Sequence, residues 1–348
     1  MWSALSASFT DVVPLNPLSA VYGQVARLRR NWYEQHPDRQ RQLGCPVISV
    51  GNLVVGGSGK TPVVAMLATL LRDAGYAPAI LSRGYRRRGA AALVIVSDGR
   101  RVLVDVGTGG DEPQMLARRL PDVPVVVSAD RYASGTVARQ QLGADTVILD
   151  DGFQHLQMAR TVNLLLLSPD HLSESILPVG RLREPVEAAA RADAVLVWAT
   201  GGAPAQVARQ VGVQQAFSVT TTYRPLRLVR PYAEAAEMTP SRVVALAAIA
   251  QPERFVHALT ARGYTVLRTF TFRDHHWFTP ADVQRVEESA RAAGADAIVT
   301  TEKDAVRLEH VITGRIPVLF LPIDAHVEPA EMFRAWLLER IGPPGARR

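Results

Sequence analysis

A parallel-sheet α/β fold with helices on both faces, followed by a second, smaller α/β unit, is the class this sequence predicts. Three observations lead there. Short runs of β-branched and aliphatic residues alternate with amphipathic stretches, as expected for parallel strands buried between crossover helices. The 348 residues are long for one domain. A Pro- and Arg-rich stretch, TTTYRPLRLVRPY, reads as a linker between two such sections. With 47% hydrophobic and 21% charged residues and no low-complexity tract, the chain is of the folded, core-forming kind.

The first element is a helix over residues 17 to 33, opened by Pro17. Leu18, Val21, Tyr22, Val25, Leu28 and Trp32 recur at spacings of three and four and form one apolar stripe. Arg27, Arg29 and Arg30 flank it. Such a helix can cap the protein's own core or lie in a membrane interface. PVISVGN then reads as a strand, TPVVAMLATLLRDAGY as a helix stopped by Gly75, and APAILSRGY as a strand. AALVIVSDGRRVLVDV reads as a hairpin turned at Asp98-Gly99. DEPQMLARRL and DRYASGTVARQQLG read as helices, and VPVVVS, ADTVILDDG, TVNLLLLS and ADAVLVWAT as strands. Beyond the linker, RVVALAAI, TVLRTFTF, DAIVTT and IPVLFLP read as strands, with helices starting near Pro252, Pro280 and Pro329. The expected organisation is a helix within residues 1–35, a core domain over 36–218 and a second α/β domain over 219–348.

No run of about 18 apolar residues marks a membrane span, and the N-terminus does not read as a secretory signal. The single Cys45 excludes an internal disulfide framework and fits a reducing cytoplasm. Basic clusters at residues 27–30, 83–88 and 224–230 suit phosphates of several kinds, or a solvated surface.

NLVVGGSGKTPVV carries the sharpest signal. Gly56, Gly57, Ser58 and Gly59 can take the backbone angles of a phosphate-cradling loop. Lys60 would reach the β- and γ-phosphates, and Thr61 would hold Mg²⁺. Val54 stands where the first glycine of the P-loop pattern belongs, but a strand precedes the loop and a helix follows it. Asp150 and Asp151 close another strand, where a P-loop site places its metal carboxylate; as neighbours they would repel without a cation. Together these stretches predict a P-loop NTPase-like sheet that binds a nucleoside triphosphate.

Three classes of P-loop protein then compete. A guanine-reading switch is disfavoured by the spacing of Thr301, Lys303 and Asp304, and a nucleic-acid motor by the lack of aromatic–basic interleaving, so no nucleic-acid partner is expected. A small-molecule or lipid kinase needs a base. Asp111 and Glu112 at a helix start are candidates, though Asp111 can equally be an N-cap. Asp274, His275 and His276 in FRDHHWF are others, with a surface loop as the plain alternative.

In order along the chain, VGNLVVGGSGKTP, LSRGYRRR, GDEPQMLARR, DRYASG, VILDDGFQH, LPVGRLREP, DHHWF and TEKD resemble the tetraacyldisaccharide 4'-kinase family of Gram-negative bacteria. That resemblance implies ATP and Mg²⁺ as cofactors, and phosphorylation of the 4'-hydroxyl of a lipid A disaccharide precursor to give lipid IVA. It implies Lys60 on the transferring phosphoryl group and Thr61, Asp150, Asp151 and Glu112 around the metal. Asp111 would act as base, tuned by His275, with Asp274 orienting the imidazole. Arg83, Gln154, Arg183 and Glu184 would contact substrate, while His155 and residues 301–304 are open between binding and structural roles. A base at 111 and a histidine at 275 would have to meet across a cleft between the two sections. A lipid acceptor also turns the first helix toward peripheral contact with the cytoplasmic face of the inner membrane. Oligomeric state is not encoded in these motifs; a monomer is the working expectation.

Overall fold

The computed structural model describes residues 16–57, 59–199, 203–230, 233–234, 240–314 and 316–345. Ser58 and the start of the 1–35 segment therefore lie outside the described residues. Helix α1 (Pro17–Gln35) begins at Asn16, whose side chain accepts the Leu18 N–H. A nine-stranded sheet follows, built from β1 (Val47–Asn52), β2 (Pro78–Ser82), β3 (Leu93–Ser97), β4 (Val125–Ser128), β5 (Thr146–Asp150), β6 (Val162–Leu167), β7 (Ala194–Trp198), β8 (Ala216–Tyr223) and, from far along the chain, Ile323–Glu328. Its order is Ile323–Glu328, β8, β7, β6, β1, β5, β2, β4, β3. Only the two edge pairings are antiparallel. The central strands β1, β5 and β6 are buried throughout, as their unbroken apolar runs require.

Helices α2 (Lys60–Asp73), α3 (Val106–Gly109), α4 (Asp111–Arg119), α5 (Arg131–Leu142) and α6 (Pro204–Gln210) pack against this sheet. One face buries Ile48, Val50, Val63, Leu67 and Leu71 together with Phe217 and Phe333. The other carries two clusters, around Phe153 and Leu165 and around Leu81 and Ala138. The hairpin at Asp98-Gly99 is only half formed. Leu103 N–H bonds Val96 O at 2.8 Å, but beyond a single bridge at Val102 the returning arm makes no strand.

The second unit holds a six-stranded sheet of β9 (Arg227–Leu228), β10 (Ala233–Glu234), β11 (Arg242–Ala247), β12 (Thr265–Thr271), β13 (Ala297–Thr301) and β14 (Val318–Leu321), in the order β10, β9, β14, β13, β11, β12. Helices α7 (Pro252–Ala261), α8 (Pro280–Ala292) and α9 (Glu302–Leu308) belong to it. The expected boundaries need correction at both ends. The TTTY of the supposed linker is the end of β8, inside the first sheet. Strand β15 (Ile323–Glu328) then leaves the second unit and pairs with β8 from Ile323↔Tyr223 to Glu328↔Ser218. Helix α10 (Ala330–Ile341) lays Phe333 edge-on to Phe217, ring centroids 5.0 Å apart. The second unit is thus an insertion between β8 and β15. Two chain crossings tether it, because the apolar face of α10 is buried on the first sheet.

Candidate active site

The strand β1 ends at Asn52, and the loop beyond it delivers the chain to α2. Gly56 (φ 99°) and Gly59 (φ 74°) both occupy the left-handed region. At Gly59 a side chain is also excluded by space, since a Cβ would fall 2.4 Å from the Trp198 ring. Gly59 caps α2, so Lys60 and Thr61 stand in the first turn, where free backbone N–H groups favour an anion. Lys60 Nζ donates to Asn52 Oδ1 at 3.0 Å and lies 3.3 Å from Asp151 Oδ1.

Two carboxylates with opposite behaviour follow, Asp150 as the last residue of β5 and Asp151 just beyond it. Asp150 is buried and accepts from Ser82 Oγ at 3.1 Å. Burial, reinforced by the negative charges of Glu112 and Asp151, pushes its carboxyl up to about 7. Asp151 is also burdened by burial, but Lys60 and Arg183 overcome it and hold its carboxyl below the usual range. Arg183 Nη1 meets Asp151 Oδ2 at 2.7 Å, and its backbone N–H is anchored on Leu53 O at 2.7 Å. A buried acid raised by its acidic neighbours suits a hard cation, and Thr61, Asp150, Asp151 and Glu112 all offer oxygen. No three His, Cys, Asp or Glu side chains among the described residues make a ready cage. Mg²⁺ commonly takes one or two carboxylates and fills the remaining positions with phosphate and water, so the donor set fits.

Across the cavity, Asp111 opens α4 at 7% exposure. It is not the N-cap, a position held by Gly110. His275 Nδ1 sits 2.8 Å from Asp111 Oδ2, and Arg307 Nη1 3.3 Å from the same oxygen. Burial opposes the charge on Asp111, yet the His275 hydrogen bond and the cations of Lys303 and Arg307 outweigh it and hold the carboxyl at about 2. The pair therefore joins the two units, although 164 positions separate its members. His275 has φ 63° and its N–H bonds Ala248 O at 3.2 Å. An apolar contact of Val106 and Met115 with Val306 and Trp277 closes the junction, beside an Arg119–Glu302 pair at 3.0 Å.

One cavity of about 720 Å³ is lined by Gly56, Gly57, Gly59, Lys60, Thr61, Asp111, Glu112, Asp150, Asp151 and His275, and also by Arg83, Gln154, Arg183 and Glu184. Every expected site residue except Ser58, which lies outside the described residues, thus borders a single space. Three roles shift. Both oxygens of Glu184 are held by Arg30, at 2.6 and 2.8 Å, so this buried carboxylate clamps α1 while it borders the cavity. Gln154 Nε2 donates to Asn52 O at 3.0 Å and thereby braces the loop. Asp274 Oδ2 stands 3.7 Å from His275 Nε2, while Lys303 Nζ comes within 3.2 Å. Arg83 is exposed at the rim. His155 is held neutral, its pKa lowered to about 4 by burial and by the charges of Arg131 and Arg160.

Sequence reasoning passes over Arg307 and weighs Lys303 only as part of a nucleotide motif. They lie four apart on α9, hence on one helical face, and that spacing was the available signal. Thr301 and Asp304 are structural: Thr301 caps α9, and the fully buried Asp304 binds Ala248 N–H at 2.9 Å. The stripe of α1 points outward. Gly23 and Arg30 face inward, whereas the six stripe residues are from 41% (Tyr22) to 65% (Leu18) exposed, so among the described residues the stripe caps no core.

The geometry has relatives. A family model described as tetraacyldisaccharide-1-P 4'-kinase matches residues 12–342. The tetraacyldisaccharide 4'-kinase of Syntrophus aciditrophicus is 37% identical over 343 residues, covering 93% of this chain and 92% of that protein. That of Geobacter metallireducens is 40% identical over 311 residues, covering 88% and 91%. A crystal structure of LpxK from Aquifex aeolicus in complex with ATP aligns at TM-score 0.76 and 32% identity, covering 94% of this chain and 98% of that one. The match of the family model across nearly the whole chain places it plainly: this protein belongs to the tetraacyldisaccharide-1-P 4'-kinase family.

Proposed function

We propose that this protein transfers the γ-phosphoryl group of ATP to the 4'-hydroxyl of a tetraacylated glucosamine disaccharide 1-phosphate, forming lipid IVA. One observation carries the reading: the phosphate loop and the Asp111–His275 pair face each other across one cavity. The loop N–H groups and Lys60 bind and orient the triphosphate, and Lys60 counters the charge that develops on the transferring group. The sugar oxygen bonds to the γ-phosphorus, the bond from that phosphorus to the β–γ bridging oxygen breaks, and the hydroxyl proton passes to Asp111. His275 and Arg307 keep that carboxylate ionised and aimed. Thr61, Asp150 and Asp151, with Glu112 at the margin, would hold Mg²⁺, which when bound supplies charge neutralisation on the β- and γ-phosphate oxygens. Positioning supplies most of the rate, since a sugar hydroxyl gives up its proton late.

The acceptor's acyl chains explain why α1 wears its apolar stripe outside. Tyr22, Val25, Ala26 and Arg29 line the cavity, while Tyr22 and Val25 are also part of the exposed stripe. A headgroup can therefore reach the loop while its chains remain in lipid at the cytoplasmic face of the inner membrane, with the α1 arginines on anionic headgroups. No described helix is long and apolar enough to cross a membrane, so the contact we propose is peripheral.

Incubation with γ-labelled ATP and the disaccharide precursor in mixed micelles tests the chemistry. Label should appear in the glycolipid, and Lys60→Ala should abolish it. Hydrolysis without labelled lipid would make the protein an NTPase instead, and transfer only to a water-soluble sugar would make it a soluble sugar kinase.

A further inference from the structure

We infer that Lys303 is a positioning residue of this kinase: its ammonium donates to His275 Nε2 and fixes the ring in the tautomer whose Nδ1–H faces Asp111. The inference deepens the proposed reaction and rests on Asp111 as proton acceptor. It follows from donor and acceptor inventory. Lysine has three N–H donors and no acceptor, so the His275 nitrogen 3.2 Å from Lys303 Nζ must present a lone pair. A neutral imidazole then carries its one proton on Nδ1, which is 2.8 Å from Asp111 Oδ2, an acceptor-only group. Both contacts demand the same tautomer.

The surroundings explain why a cation is needed there. Asp274 Oδ2, 3.7 Å from Nε2, would on its own draw a proton to that nitrogen. Lys303 counters it, with Nζ 3.4 Å from Asp274 Oδ1 and 3.2 Å from Glu112 Oε1. Tyr85 meets the ring edge-on at 5.6 Å and brings no charge.

The backbone fixes the two partners to a common point. Ala248 O accepts the His275 N–H at 3.2 Å, and Ala248 N–H donates to Asp304 at 2.9 Å, one position after Lys303. Loop and helix are thus registered on a single residue of the second unit. With Nε2 occupied as an acceptor, His275 serves as a fixed donor that orients Asp111, and the substrate proton stays on the Asp111 carboxyl.

Long-range ¹H–¹⁵N correlation on protein labelled in histidine, with His275→Gln to assign the signal, reads the tautomer without any turnover. Wild type should show an unprotonated Nε2 and a protonated Nδ1. In Lys303→Met the Nε2-protonated fraction should rise from under about a tenth to about half or more. A wild-type ring with its proton on Nε2, or an unchanged ring in Lys303→Met, would overturn the inference. For function, Lys303→Cys should lower kcat at least about tenfold with KM for ATP within about twofold, a positioning loss. Alkylation of the introduced thiol with bromoethylamine restores an ammonium at nearly the same reach and should recover most of kcat. Buried Cys45, its thiol pushed up to about 11, will not compete. Recovery failing on folded, fully alkylated protein would overturn the functional half. Absence of lipid phosphorylation in wild type would instead refute the proposed reaction while leaving the tautomer result readable.

Discussion

The donor half of the cavity is built within one sheet, whereas the acceptor half is assembled from four distant stretches of chain. On the donor side, Asn52, the loop to Thr61, and Asp150 and Asp151 all rise from the ends of β1 and β5, which pair directly in parallel register. On the acceptor side, α1 docks on the first unit through Gly23 and the Arg30–Glu184 pair, while the start of α4 meets His275 and Lys303 only because the inserted unit packs on α4. Two buried aspartates mark the contrast. Asp150 sits among acids and is raised to about 7; Asp111 sits among cations and is lowered to about 2. Environments that push two carboxyls apart fit the different work we propose for them, one to hold a cation and one to stay ionised as a base.

The largest effect should come from the donor half. Lys60→Ala removes the cation beside the transferring group and should lower kcat by about a thousandfold or more in the labelled-lipid assay. A loss under tenfold would mean that the loop binds nucleotide without taking part in transfer. Asp111→Asn tests the other half and keeps the shape while abolishing the base. We expect a drop of about a hundredfold to a thousandfold in kcat with ATP binding intact. Near-normal turnover would move the proton acceptor elsewhere.

This contrast also decides what the sequence could disclose. The donor half was legible because Gly56 to Thr61 and the Asp150-Asp151 pair are each contiguous, and their backbone angles follow from residue type. The alternating runs likewise disclosed most strands of both sheets. What stayed hidden depends on non-local packing. The return of β15 to β8 is recorded in no local pattern, and residues 220–223 look like a linker until their partner strand is known. The clamp role of Glu184 has no local signal, because Arg30, its partner 154 positions away, is set by the docking of α1. Lys303 was read against a nucleotide motif it does not fit, while its actual neighbours, His275 and Glu112, belong to other elements.

A pH series sharpens the comparison between the aspartates. The raised carboxyl of Asp150 must lose its proton before a cation binds, so Mg²⁺ affinity in the presence of nucleotide should be about tenfold weaker at pH 6 than at pH 8. Titration calorimetry on wild type and Asp150→Asn checks this, the variant losing the slope along with much of its affinity. For stability the signs oppose. A raised folded pKa means Asp150 favours folding at low pH, a contribution lost as pH climbs through about 7. The lowered pKa of Asp111 favours folding above the ordinary carboxylate range, a contribution lost as pH falls toward 2. A pH-independent Mg²⁺ affinity would remove the physical distinction between the two halves.

The smallest effect concerns the outer wall of the acceptor half. Val25 is 57% exposed on α1, yet it also borders the cavity, so it stands where headgroup gives way to lipid chains. Replacing it with Ser removes about 1 kcal/mol of apolar transfer, which corresponds to about a fivefold weaker partition onto vesicles containing anionic lipid. The fold should be untouched, because α1 is held from its opposite face by Gly23 against Ile176 and by the Arg30–Glu184 pair. Turnover on a short-chain, micellar acceptor should change less than turnover on vesicles, since the loop, Asp150 and Asp111 are all left in place. Sedimentation with vesicles, run beside both assays, separates the two. If Val25→Ser and a second stripe variant, Leu28→Gln, bind vesicles as wild type does, then α1 does not carry the membrane contact and the apolar stripe must meet something else.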